Sequence, residues 1–232
     1  MSRTMIKLCG NHSFQDLKYS VASGVPYIGL VFAESKRKVD PLECSKWLEQ
    51  IEKGRSQKYV GVFVNPSLLE IASVLQYVPL DIIQFHGDEN PEQVIEAKMA
   101  TGLTVWKAIH HNEKALVKMK SFYHIADGYV IDSKVNGAWG GTGKRFDWDA
   151  IPAYQKEAQI QGVPCFIAGG ITPDNVSEIL NYRPDGIDIS SGIETMWRKD
   201  ARKIQKLIEI IENFCDNNYN SMLKSNNNTF SL

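Results

Sequence analysis

Apolar residues along this chain fall into short blocks, separated by longer stretches of helical period. Eight blocks read as strands: Met5–Cys9, Tyr27–Phe32, Tyr59–Val64, Asp81–His86, Thr104–Ile109, Asp127–Asp132, Pro164–Ala168 and Gly186–Ser190. Most are rich in Val, Ile and aromatics, which suit a pleated, buried surface. Their starts recur roughly every 25 residues, about one strand–helix unit. Amphipathic segments lie between them. Pro41–Lys53 carries Leu42, Trp47, Leu48 and Ile51 among charges, and Asp200–Phe214 carries Ile204, Leu207, Ile208 and Ile211 in the same way. Asp40 before Pro41, Asn90 before Pro91 and Thr172 before Pro173 are expected helix starts, each a capping residue followed by proline.

Eight strands with helical crossovers can close into a barrel or form an open, doubly wound sheet. The count favours the α/β single-domain (β/α)8 TIM barrel over residues 1–216. The stretch 217–232 has little apolar content and includes Ser-Asn-Asn-Asn-Thr, so it is expected to be a disordered tail. A length of 232 residues suits one such barrel, and 43% hydrophobic with 23% charged residues fits a chain that buries a core. A net charge of -1 gives no reason to expect a nucleic acid or an anionic membrane as partner. No apolar run reaches the roughly 18 residues of a membrane span, and Met1–Lys7 does not read as a signal peptide. Cys9, Cys44, Cys165 and Cys215 have neither CxxC nor metal-type spacing, so free thiols in a reducing cytoplasm are expected.

Barrel enzymes place their chemistry at the C-terminal ends of the strands. Strand seven ends in Gly169-Gly170 and strand eight in Ser190-Ser191-Gly192, the position at which many barrels cradle a phosphate on backbone N–H groups. Either motif alone reads equally well as a tight turn; the pair points to phosphate. Cys9 ends strand one, either as a small buried hydrophobe or as a thiol able to act as base. Asp132 ends strand six, either as a helix cap or loop anchor, or as a proton donor. Arg37, in a basic run after strand two, is either a solvated charge or a carboxylate clamp, for which a guanidinium fork is well shaped. His86 ends strand four and either orients substrate or serves the structure. Gly140-Gly141-Thr142-Gly143, after strand six, reads as a lid loop or a plain connector. His110-His111 reads as surface or loop.

Taken together, Lys7-Leu8-Cys9-Gly10, Gly61-Val62-Phe63-Val64-Asn65, Gln84-Phe85-His86-Gly87-Asp88, Gly140-Gly141-Thr142-Gly143, Phe166-Ile167-Ala168-Gly169-Gly170 and Gly186-Ile187-Asp188-Ile189-Ser190-Ser191-Gly192 resemble the phosphoribosylanthranilate isomerase family from about Met5 to Phe214. The resemblance implies an Amadori rearrangement in tryptophan biosynthesis, with Cys9 as general base and Asp132 as general acid. It also implies Arg37 on the anthranilate carboxylate, and His86 and Asp188 in the substrate pocket. The expected partner is a small phosphoribosylated substrate, handled by a monomer or homodimer with no metal and no organic cofactor. Two departures stand out: Thr195-Met196-Trp197-Arg198 lies where the family commonly has a glycine before Lys-Asp, and Asn11-His12 follow Gly10 where an apolar residue is common. The histidine-pathway isomerase, which performs the same rearrangement, typically has an aspartate at strand one, where this chain has Cys9. A non-catalytic sugar-phosphate-binding barrel remains the rival of a different class.

Overall fold

Alternation of apolar side chains, period two in the strands and near 3.6 in the helices, is realised as eight parallel strands wrapped by helices. A computed structural model describes residues 4–133 and 147–227, with side chains as far as Cys215. The strands are β1 (Met5–Leu8), β2 (Tyr27–Val31), β3 (Lys58–Phe63), β4 (Ile82–Phe85), β5 (Thr104–His110), β6 (Gly128–Asp132), β7 (Cys165–Ala168) and β8 (Gly186–Ile189). They pair in sequence order, and β8 returns to β1 through Met5↔Gly186 to Leu8↔Ile189, closing the barrel. The helices are α1 (Phe14–Ala22), α2 (Pro41–Leu48), α3 (Leu68–Leu75), α4 (Pro91–Thr101), α5 (Ala115–Ser121), α6 (Ile151–Gln161), α7 (Val176–Leu180) and α8 (Ala201–Asn227). A small hairpin, β9 (Glu194–Thr195) and β10 (Arg198–Lys199), sits between β8 and α8.

Two hydrophobic layers result. Outward strand residues such as Leu8, Ile28, Leu30, Ile83, Ile131 and Ile167 pack against the helices. Inward residues Val60, Ile82, Trp106, Val130 and Phe166, with Met5 and Tyr27, fill the barrel. Trp106 and Phe166 lie 4.7 Å apart and Tyr27 meets both, so aromatic bulk plugs the interior below the mouth. The next inward positions are polar: Lys7, Gln84, Asp132 and Asp188 are all buried. The alternation that makes the core therefore also aims the polar strand ends at one opening.

Three boundaries differ from the sequence expectation. Asp40 and Asn90 accept from the N–H groups of Glu43 and Gln93, as expected of caps, each worth about 1 kcal/mol. Helix α2, however, stops at Leu48, and Gln50 N–H bonds to Trp47 O. Ile51 packs on the core from the loop, which mimics one more helical turn in the pattern. Thr172 opens a turn instead of a helix. Asn175 spends its side chain on Thr172 N–H and Gly170 O, and α7 begins at Val176. At the far end α8 reaches Asn227, so 217–227 are helical where an irregular tail was expected.

Candidate active site

The strand ends converge on a pocket that opens to solvent, with about 810 Å³ of empty space when the open mouth is included. Cys9, Arg37, His86, Asp132, Asp188, Gly169, Gly170, Ser190 and Ser191 all line it. These are nine of the residues singled out from sequence, drawn from the ends of six strands. Gly192 stands just behind the wall: a Cβ there would lie 1.8 Å from the Ile171 carbonyl oxygen, so only glycine allows the loops after β7 and β8 to touch. Gly169 and Gly170 have φ of 88° and 67°, the left-handed turn that swings the chain out of β7. Residues 140–143, the expected lid, lie outside the described residues.

Cys9 is half-buried at the end of β1. Gly29 on β2 makes room for it, since a Cβ at that glycine would lie 2.7 Å from the sulfur. Burial pushes the Cys9 thiol above its ordinary value, and the positive charge of Lys7 offsets part of that rise. Lys7 itself is fully buried and donates to Asp188 Oδ2 at 2.7 Å. Burial works against its charge, but Asp188 and Cys9 outweigh it and the ammonium is held above its usual value. The other oxygen, Asp188 Oδ1, is buried with no hydrogen-bond partner among the described residues.

Across the mouth, Asp132 is 4% exposed, and its Oδ2 lies 3.2 Å from His86 Nε2. Gln84 Nε2 stands 3.1 Å from His86 Nδ1. With the amide nitrogen donating, the ring proton sits on Nε2 and faces Asp132, the arrangement that suits a carboxylate which has just released a proton. His110, expected at the surface or in a loop and not as a metal ligand, ends β5 with its ring 5.5 Å from that of His86. His86, His110 and Asp132 bring three ligand-type atoms within 4.8 Å, a grouping that could receive a metal ion. His111 points away, with Nδ1 2.8 Å from the Tyr154 hydroxyl.

Arg37 donates through Nε and one terminal nitrogen to the two oxygens of Glu194, at 2.8 and 2.7 Å. Burial acts to raise the Glu194 carboxyl, but Arg37 and Lys199 prevail and hold it below the usual carboxylate range. Lys199, buried beside it, donates to Cys9 O at 2.5 Å, Ser190 O at 3.1 Å and Glu194 Oε1 at 2.8 Å. One ammonium thus ties the tops of β1 and β8 to the hairpin. Lys7, Gln84, Glu194 and Lys199 are the members that sequence reasoning missed. A lysine inside the apolar run of β1 was the available signal for Lys7. Glu194 and Lys199 gave none, because Glu194 and Arg37 are 157 positions apart and Lys199 and Cys9 are 190 apart.

A closed eight-stranded barrel with a thiol, a carboxyl, an imidazole and a guanidinium at its C-terminal mouth defines a (β/α)8-barrel enzyme. Comparison with known proteins gives the particular kind. The family model described as N-(5'phosphoribosyl)anthranilate (PRA) isomerase matches residues 6–210. The N-(5'-phosphoribosyl)anthranilate isomerase of Geobacillus thermodenitrificans is 55% identical over 209 residues, covering 90% of this chain and 94% of that protein. The Bacillus subtilis enzyme of the same name is 42% identical over 213 residues, 91% and 95% of the two chains. The crystal structure of the Thermotoga maritima phosphoribosyl anthranilate isomerase superposes with a TM-score of 0.78 at 29% identity, covering 90% of this chain and 99% of that one. A phosphoribosyl anthranilate isomerase solved with reduced 1-(o-carboxyphenylamino)-1-deoxyribulose 5-phosphate superposes at 0.75 with 27% identity, over 90% and 99% of the two chains. The chain belongs to the N-(5'-phosphoribosyl)anthranilate isomerase family.

Proposed function

We propose that this chain converts N-(5'-phosphoribosyl)anthranilate to 1-(2-carboxyphenylamino)-1-deoxyribulose 5-phosphate in tryptophan biosynthesis, with Asp132 as general acid and Cys9 as general base. The observation that carries the residue roles is the placement of a thiol and a carboxyl as separate walls of one pocket, each with its own partner, Lys7 for one and His86 for the other. In the reaction Asp132 delivers its proton to the ribose ring oxygen. The C1–O bond breaks as the anilino nitrogen forms a C=N bond. The Cys9 thiolate then removes the proton from C2, which the imine has made acidic, leaving an enaminol. Proton return at C1 and loss from the C2 hydroxyl give the ketose. Proton transfers alone balance the sequence, and each positioned group contributes about 10²- to 10⁴-fold.

The glycines and serines after β7 and β8 are the seat for the 5'-phosphate, with Asn175 and Lys199 fixing the two loops. Arg37, held on one edge by Glu194, keeps its remaining N–H groups for the anthranilate carboxylate. Asp188 Oδ1 is suited to accept from a sugar hydroxyl, which would give that orphaned oxygen a partner. Among the described residues no helix is long and apolar enough to cross a membrane. The same reading assigns the chain to the cytoplasm, where free thiols such as Cys9, Cys44 and Cys165 persist, as a monomer or homodimer. The test generates the substrate in situ and follows loss of its anthranilate fluorescence. Turnover by the purified chain is expected, and its absence would remove the assignment.

A further inference from the structure

The hairpin beside the pocket carries its bulkiest residues in the conformation least suited to them. β9 and β10 pair through Thr195↔Arg198 and Glu194↔Lys199, leaving Met196 and Trp197 as a two-residue turn. Their φ angles are 49° and 65°, both left-handed. A two-residue turn with two left-handed positions is the type that strongly favours Asn-Gly, because a Cβ is strained there and an aromatic one more so. Core packing does not compensate. Met196 is 91% exposed and Trp197 52% exposed. A strained, exposed tryptophan calls for a reason in what it touches.

It touches the loop after β2. The Lys36 ammonium lies 4.2 Å from the centre of the Trp197 ring, and the Arg37 guanidinium carbon lies 5.4 Å from it, both within cation–π range. Arg37 is the same guanidinium whose edge is taken by Glu194 at the hairpin stem. One short hairpin therefore meets Arg37 twice, through Glu194 at its stem and the Trp197 ring at its tip, and Arg37 itself lines the pocket.

We propose that Trp197 is a positioning residue for the carboxylate end of the substrate, immobilising Lys36 and Arg37 so that the guanidinium is already set when the anthranilate carboxylate arrives. This rests on the reading of Arg37 as carboxylate clamp. Ordering a flexible cation before binding removes an entropy loss from the binding step. Because the carboxylate itself makes and breaks no bond in the reaction, the gain is shared by ground and transition states. It appears in KM and not in kcat.

The experiment compares the full-length chain with Trp197→Gly, Trp197→Phe, Met196→Asn/Trp197→Gly and Arg37→Ala, measuring kcat, KM and the thermal midpoint on substrate made in situ. Trp197→Gly is expected to raise KM about fivefold, the scale of exposed cation–π contacts, with kcat within about twofold of wild type. Trp197→Phe keeps a π face and is expected to hold KM within about twofold. The Asn-Gly double variant is expected to raise KM as the single glycine does while raising the midpoint by about 2–4 °C, since strain is released. A purely structural tryptophan would move the midpoint and leave KM alone. If Arg37→Ala raises KM and both glycine variants keep the wild-type KM, the proposal for Trp197 is overturned while the clamp stands. If Arg37→Ala also leaves KM unchanged in a chain that turns over normally, the clamp reading fails and the proposal with it.

Discussion

Two lysines of the barrel wall are fully buried and both are paired with a carboxylate, yet they serve different ends. Lys107 on β5 faces outward between sheet and helices. It donates to Glu89 Oε2 at 2.9 Å and to the carbonyls of Gly87 and Ala108 at 2.9 and 3.0 Å. Glu89 in turn accepts from the backbone N–H of Asn65 and Gly87. Every bond in that knot ends on another member, and it pins the loops after β3 and β4. Lys7 on β1 faces inward, bonded to Asp188, with Cys9 beside it and one oxygen of Asp188 unmatched. Burial opposes charge at both. At Lys107 burial outweighs Glu89 and holds the ammonium below its ordinary value, whereas at Lys7 the neighbouring acids win. A buried ion pair is thus no mark of function in itself. The mark is unsatisfied valence beside a titratable group that opens on a cavity.

The largest effect expected lies on the inner side. Cys9→Ala and Asp132→Asn should each lower kcat about 10²- to 10⁴-fold with the fold intact by circular dichroism. Next in size, Lys107→Met should lower the unfolding free energy by about 3–5 kcal/mol in a urea titration, because Glu89 is left charged and buried. Its kcat per folded molecule should stay at the wild-type value; a fall would erase the contrast between the two lysines. Smaller again, Asp188→Asn should reduce kcat/KM about 10- to 10²-fold, the scale of a hydrogen bond to a charged group.

The gentlest probe is pH. Cys9 must be a thiolate to act as base, and its folded value lies above the ordinary one. The rate constant kcat/KM should therefore climb from neutral into alkaline solution, and Lys7→Met should move that climb to still higher pH. A profile already level at neutral pH would show that the titrating base is not this thiol.

Much of this was legible along the chain, for reasons that can be located. The eight strands were readable because Val, Ile and aromatic runs end in Gly, Pro or polar residues, and their observed limits fall within about two residues of the pattern. The mouth residues Cys9, His86 and Asp132 were readable because each closes an apolar strand. What closes the circuit was not. Lys7 meets Asp188 only when β8 returns to β1, and His110 reaches His86 only through the β4–β5 register. The left-handed turn at Met196–Trp197 ran against local preference, so the sequence pattern gave no hairpin there.

The most direct test of the central claim is a crystal structure of this chain with reduced 1-(o-carboxyphenylamino)-1-deoxyribulose 5-phosphate. The account predicts the sugar carbons lying between Cys9 Sγ and the Asp132 carboxyl, with the phosphate against Gly169–Gly170 and Ser190–Ser191 and the carboxylate on Arg37. A ligand bound with either Cys9 or Asp132 turned away from the sugar would contradict it.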